Sequence, residues 1–102
     1  MGFFDALFNP APCSAHQRAE VDRFVQELIQ IGRQDDFLAE RPGAPFNYQC
    51  RHTRAREIGV RLNELGGDAL MEWAHRRVRA KLKEPLASHL SYSWTDIGDW
   101  VA

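Results

Sequence analysis

Leu65, Gly66, Gly67, Asp68, Ala69 and Leu70 separate two of the most regular amphipathic stretches in this chain, and the reading of that break decides the fold. Glycine takes up the left-handed backbone that ends a helix at little cost, and aspartate is a good cap for the start of the next. On one side Ala55, Ile58, Leu62 and Leu65 recur at spacings of three and four. On the other Leu70, Met71, Ala74, Val78 and Leu82 do the same. A break this short between two such stripes predicts adjacent antiparallel helices, a hairpin turning at Gly66–Gly67 and covering residues from about 53 to 83.

Outward from the hairpin, the same periodicity predicts an all-α, single-domain bundle of about four main helices plus a short N-terminal one. The main helices are expected at 14–33, 50–65, 68–83 and 85–100, after an N-terminal docking segment and Pro-rich link at 1–12. Ser14 and Gln17 form a capping-box start, and Val21, Phe24, Val25, Leu28 and Ile31 form a stripe behind it. Gly32 is read as the end of that helix or a loosening of it. Gly59, costly inside a helix by about 1 kcal/mol, is read as a point of close approach. Pro85 suits the first turn of the last helix, along which Leu86, Leu90, Trp94, Ile97 and Val101 share one side. On such a helix Trp94 and Trp100 point about 120° apart, so one of them is expected in the core and the other at a rim.

At 102 residues, with 44% hydrophobic and 26% charged side chains, the chain matches an ordinary globular domain that builds its own core. No apolar run approaches the roughly 18 residues of a membrane span, and the first residues lack the basic flank of a signal peptide, so a cytoplasmic protein is expected. Only Cys13 and Cys50 are present, which points to reduced thiols and not a disulfide framework. The tetratricopeptide pattern fails in register over its roughly 34 residues.

The net charge of −1 conceals a segregation. Residues 1–50 carry four arginines against seven acids, residues 51–83 nine Arg or Lys against four acids, and residues 84–102 three acids with no Arg or Lys. The basic block coincides with the hairpin. Arg51, Arg54, Arg61, Arg76, Arg77, Arg79 and Lys83, together with Arg56 and Lys81, are therefore candidates for phosphate contacts, since arginine suits bidentate recognition of that group. A helix-turn-helix reading fails, because Leu62 or Asn63 then stands where that motif needs a small residue.

Cys13, His16, Cys50 and His52 contain the ligand types of a structural zinc, but Cys50 and His52 diverge by about 200° on a helix, so no cofactor is expected and zinc is a weak alternative. There is no phosphate-binding glycine loop, no nucleophile elbow and no His-Glu-x-x-His, so no catalytic residue is assigned. His75 and His89 read as helix-surface or rim residues. Phe3, Phe4, Phe8, Tyr92 and Trp100 are the candidate contact residues, aromatics being enriched at binding hot spots. The expected function is a non-enzymatic helical module that binds a protein partner or a second copy of itself. The alternative is a nucleic-acid-associated protein using the Arg-rich face of residues 51–83.

Overall fold

Helix formation begins where Ser14 can satisfy the first turn. The Ser14 amide donates to the side-chain oxygen of Gln17 at 3.3 Å, and the Gln17 amide donates to the Ser14 carbonyl at 2.9 Å. The computed structural model describes residues 11–34, 37 and 46–101, with side chains for all of these except 46–51. Within them a single 3-10 turn, Ala15–Gln17, leads into α1 (Arg18–Gln34), followed by α2 (Phe46–Leu82) and α3 (Leu86–Ser93). No strand occurs among the described residues.

The count differs from the four main helices and one short helix that periodicity suggests. Residues 46–82 form one helical run whose only non-helical residue is Gly67, at φ 67° and ψ −159°. Gly66 and Asp68 stay inside the run, so the break takes one residue and no separate cap. The last helix is also shorter than expected, ending at Ser93 instead of near residue 100. The N-terminal helix expected within 1–12 falls almost wholly outside the described residues.

Although α2 is a single run, it is not straight. Thirty-seven helical residues would span about 55 Å, yet the longest dimension of the molecule is 44 Å. The indole of Trp94 donates to the Ala55 carbonyl at 3.0 Å, and its ring centroid lies 6.4 Å from that of His75. On a straight helix residues 55 and 75 would stand about 30 Å apart. The chain therefore reverses at Gly67, and α2 has two limbs, 46–66 and 68–82.

α1 lies along both. Glu27 meets Arg54 at 2.6 Å and Glu20 meets Arg61 at 3.0 Å, so α1 runs antiparallel to the first limb. The Pro12 carbonyl, just ahead of α1, lies at Gly66, and Gly32 near the end of α1 packs against Leu82, so α1 runs parallel to the second limb, with Asp22, Ile29, Trp73 and Lys81 lining the groove between them. Val21 and Leu28 from α1, Ile58 and Leu62 from the first limb, and Leu70, Met71 and Val78 from the second are fully buried between them, joined by Leu90 and Trp94.

Two glycines serve close packing. A Cβ on Gly59 would lie 2.6 Å from the Trp94 indole nitrogen, so Gly59 admits the ring that bridges the limbs. Gly32 does not end its helix, which continues to Gln34. It is buried where a Cβ would strike the Leu82 side chain and come within 2.8 Å of the Phe37 ring.

The short α3 has a long-range cause. The Arg56 guanidinium donates to the carbonyls of Ser93 and Thr95, at 2.6 and 2.9 Å, taking up acceptors that a longer helix would satisfy itself. Beyond them Asp96 and Gly98 turn into the left-handed region at φ 73° and 56°. Asp and Gly are residues that tolerate it.

Candidate anion-binding surface

The fold divides the basic residues of the hairpin into two groups. Arg54 is held by both oxygens of Glu27, at 2.6 and 3.0 Å, touches Glu57 at 3.4 Å and lies 5.9 Å over the Phe24 ring. Arg61 is bound to Glu20. The bond to Glu27 raises the pKa of Arg54, and the bond to Glu20 does the same for Arg61. Arg56 is committed to the carbonyls that close α3. These first-limb arginines are engaged by other parts of the fold. The side chain of Arg51 lies outside the described residues.

On the second limb Arg76 and Arg79 are exposed, as are Lys81 beside the groove with α1 and Lys83 just past the limb's end. Arg77 is half-buried, stacked 4.6 Å from the Trp73 ring. The negative end of the helix dipole, at residue 82, draws cations to this turn, but it amounts to only about half a charge. Four cations exceed it severalfold. Arg76, Arg79 and Lys83, with Ala80 and Glu84, line an open depression of about 480 Å³.

Glu84 is a member of this site that the sequence pattern did not single out. One carboxylate oxygen sits 3.6 Å from the Arg79 Nε, and the other accepts from the Ser88 hydroxyl. Ser88 is the third residue of α3, and its backbone N–H also favours the Glu84 carboxylate. The pKa of Glu84 is accordingly lowered, first by the Ser88 hydroxyl, then by the Ser88 amide and the charge of Arg79. A carboxylate with a depressed folded pKa contributes stability above its unfolded pKa and loses it as pH falls through the folded one. A carbon-detected NMR titration is therefore expected to put the Glu84 midpoint below that of an ordinary glutamate. Ser88→Ala should raise that midpoint more than Arg79→Gln does, and the reverse order would show that Arg79 dominates.

The other sequence candidates are dispersed. Pro12, next to Cys13, places its carbonyl 2.9 Å from the Cβ position of Gly66, at the turn. His52 lies at the far end of that limb, roughly 21 Å of helix away, with its Nδ1 2.6 Å from the Phe37 carbonyl. Cys13 and His52 therefore cannot share a metal. His16 is exposed, and the Cys50 side chain lies outside the described residues. Burial pushes the Cys13 thiol up, away from the thiolate form a metal needs. Among the described residues no three His, Cys, Asp or Glu side chains gather closely enough for a metal ion.

Phe3, Phe4 and Phe8 also lie outside the described residues. Tyr92 is 59% exposed, whereas Trp100 is half-buried and donates its indole N–H to the Ser91 carbonyl at 2.9 Å. Trp94 and Trp100 do not diverge. Because residues 94–101 run in turns instead of a helix, their rings meet edge to face at 5.1 Å. Val101, expected on the apolar side of that helix, is 87% exposed. His75 is half-buried, a rim residue that faces both tryptophans with its Nε2 2.6 Å from the Ala87 carbonyl.

Among the described residues no helix is long and apolar enough to cross a membrane. Comparison of the chain with known protein families, with curated proteins and with solved structures finds no match.

Proposed function

We propose that this protein is a non-enzymatic binding module whose working surface is the outer face of the second limb, used against the phosphodiester backbone of a nucleic acid. The observation that carries this reading is the unequal use of the basic residues. Arg54 and Arg61 are neutralised by α1 and Arg56 is hydrogen-bonded to backbone carbonyls, whereas Arg76, Arg79 and Lys83 stay exposed within two turns around one depression, with Glu84 set against Arg79. A polyanion is the partner such a row suits, because it needs charge along a line and no apolar anchor. A protein partner would need a buried aromatic or aliphatic centre. Among the described residues Ala80 is the one apolar side chain lining the depression.

Binding of fluorescent single-stranded and duplex oligonucleotides, measured from about 50 to 200 mM salt, tests the reading. Three phosphate contacts give a log–log slope of about −2 to −3. Neutralising Arg76 and Lys83 to Gln should weaken both forms alike and flatten that slope. No binding at about 50 mM salt removes the proposal. A second reading, self-association through the α3 end, is favoured by the exposure of Tyr92 and Val101. Sedimentation that stays monomeric at every concentration would sink it.

A further inference from the structure

We propose that the depression between Arg76, Arg79 and Lys83 is a subsite for a single phosphoryl group, and that the Glu84 carboxylate holds its place until nucleic acid displaces it from Arg79. The inference rests on the phosphodiester reading of this face and adds its regulation.

Glu84 already occupies the position that an anionic ligand would take. Among the described residues it is the only acid lining a depression whose charged rim is otherwise Arg76, Arg79 and Lys83. Its two oxygens divide between a guanidinium and the N-terminal turn of α3, two groups that recognise phosphate as readily as carboxylate. The contact to Arg79 is the loose one, at 3.6 Å and with both side chains about half exposed or more. The contact to Ser88 is a hydrogen bond that joins Glu84, just ahead of α3, to that helix's first turn. Arg79 can therefore exchange partners while Glu84 stays on Ser88. The exchange makes Glu84 a brake: each phosphate that reaches Arg79 must first break an internal ion pair.

The test is a double-mutant cycle on the full chain, with a labelled single-stranded oligonucleotide as probe. Glu84→Gln should tighten binding about two- to fivefold, the range of an exposed ion pair. It should also steepen the salt slope by nearly one phosphate contact, about 0.7. Arg79→Gln should weaken the Glu84→Gln protein more than it weakens the unaltered chain, because only in the former is Arg79 unopposed. Glu72→Gln removes an equal charge from the second limb outside the depression and should do less. Equal effects of Glu84→Gln and Glu72→Gln, or an Arg79→Gln cost that is the same in both backgrounds, overturn the proposal and leave the phosphodiester reading standing. Failure of the unaltered chain to bind at about 50 mM salt removes both. Should Glu84→Gln unravel α3, the Arg79 Nε–H resonance of the unaltered chain reports the exchange directly. A shift on saturation with oligonucleotide is expected, and an unmoved resonance refutes it.

Discussion

Trp94→Ala is expected to cost about 3–5 kcal/mol of folding stability, read as a fall in the urea midpoint. Trp94 is fully buried, and its loss removes more than area. The indole donates to Ala55 on the first limb, faces His75 on the second and meets Trp100 edge to face at 5.1 Å. It fills the space that Gly59 leaves open. Small domains have only about 5–15 kcal/mol in total, so this variant should be close to unfolding at ambient temperature. Trp100→Ala should cost clearly less, because Trp100 is only half-buried. The double variant should cost less than the two single costs together, since the rings touch and each single change already loses their contact. Strict additivity would mean that the edge-to-face pair contributes nothing.

The parts of the fold that depend on neighbours in the chain are legible in the sequence. The break at Gly67 is signalled by glycines between two stripes of helical spacing, and the start at Ser14 by Gln17 three residues on. What depends on distant residues is not. Leu86, Leu90, Trp94, Ile97 and Val101 satisfy a helical period, yet the helix stops at Ser93 because Arg56, far back in the chain, takes the carbonyls of Ser93 and Thr95. Asp96 and Gly98 were the local signs of a turn, outweighed by apolar spacing that turns can also provide.

The same distinction governs the candidate site. A count of charges marks residues 51–83 as basic but cannot say which arginines remain available. That depends on the register of α1, which sets Glu27 against Arg54 and Glu20 against Arg61. Two arginines of the first limb are neutralised by that packing, and the surplus positive charge moves to the second limb. In the sequence Glu84 is only one of three acids in the C-terminal flank. Its spacing of four from Ser88 across a helix-starting proline was the available sign of its place at the N-terminus of α3.

Gly67→Ala is the second large effect, expected to cost about 1–3 kcal/mol for a reason unlike that at Trp94. Gly67 sits at φ 67° and ψ −159°, a region essentially reserved for glycine. A Cβ there would meet no atom within 4 Å, so the cost is wholly one of backbone strain. Asparagine should not rescue it. Asn tolerates the left-handed helical region, where ψ is near +47°, and Gly67 is far from that value. Gly66 gives the contrast: it stays helical, and a Cβ on it would come within 2.9 Å of the Pro12 carbonyl and 2.7 Å of the Leu70 Cβ, a steric cost against atoms close to the backbone and not a strain of its own φ and ψ. The strain at residue 67 can be relieved in only one way, by letting the run straighten, which separates the limbs and uncovers Ile58, Leu62, Leu70 and Ala74. Two straightened copies can cover those faces by exchanging limbs. Gly67→Ala should therefore show both a lower urea midpoint and a dimer that grows with concentration. Gly66→Ala should lower the midpoint while remaining monomeric. A Gly67→Ala protein as stable as the unaltered chain and strictly monomeric would show that the reversal does not depend on glycine at this position.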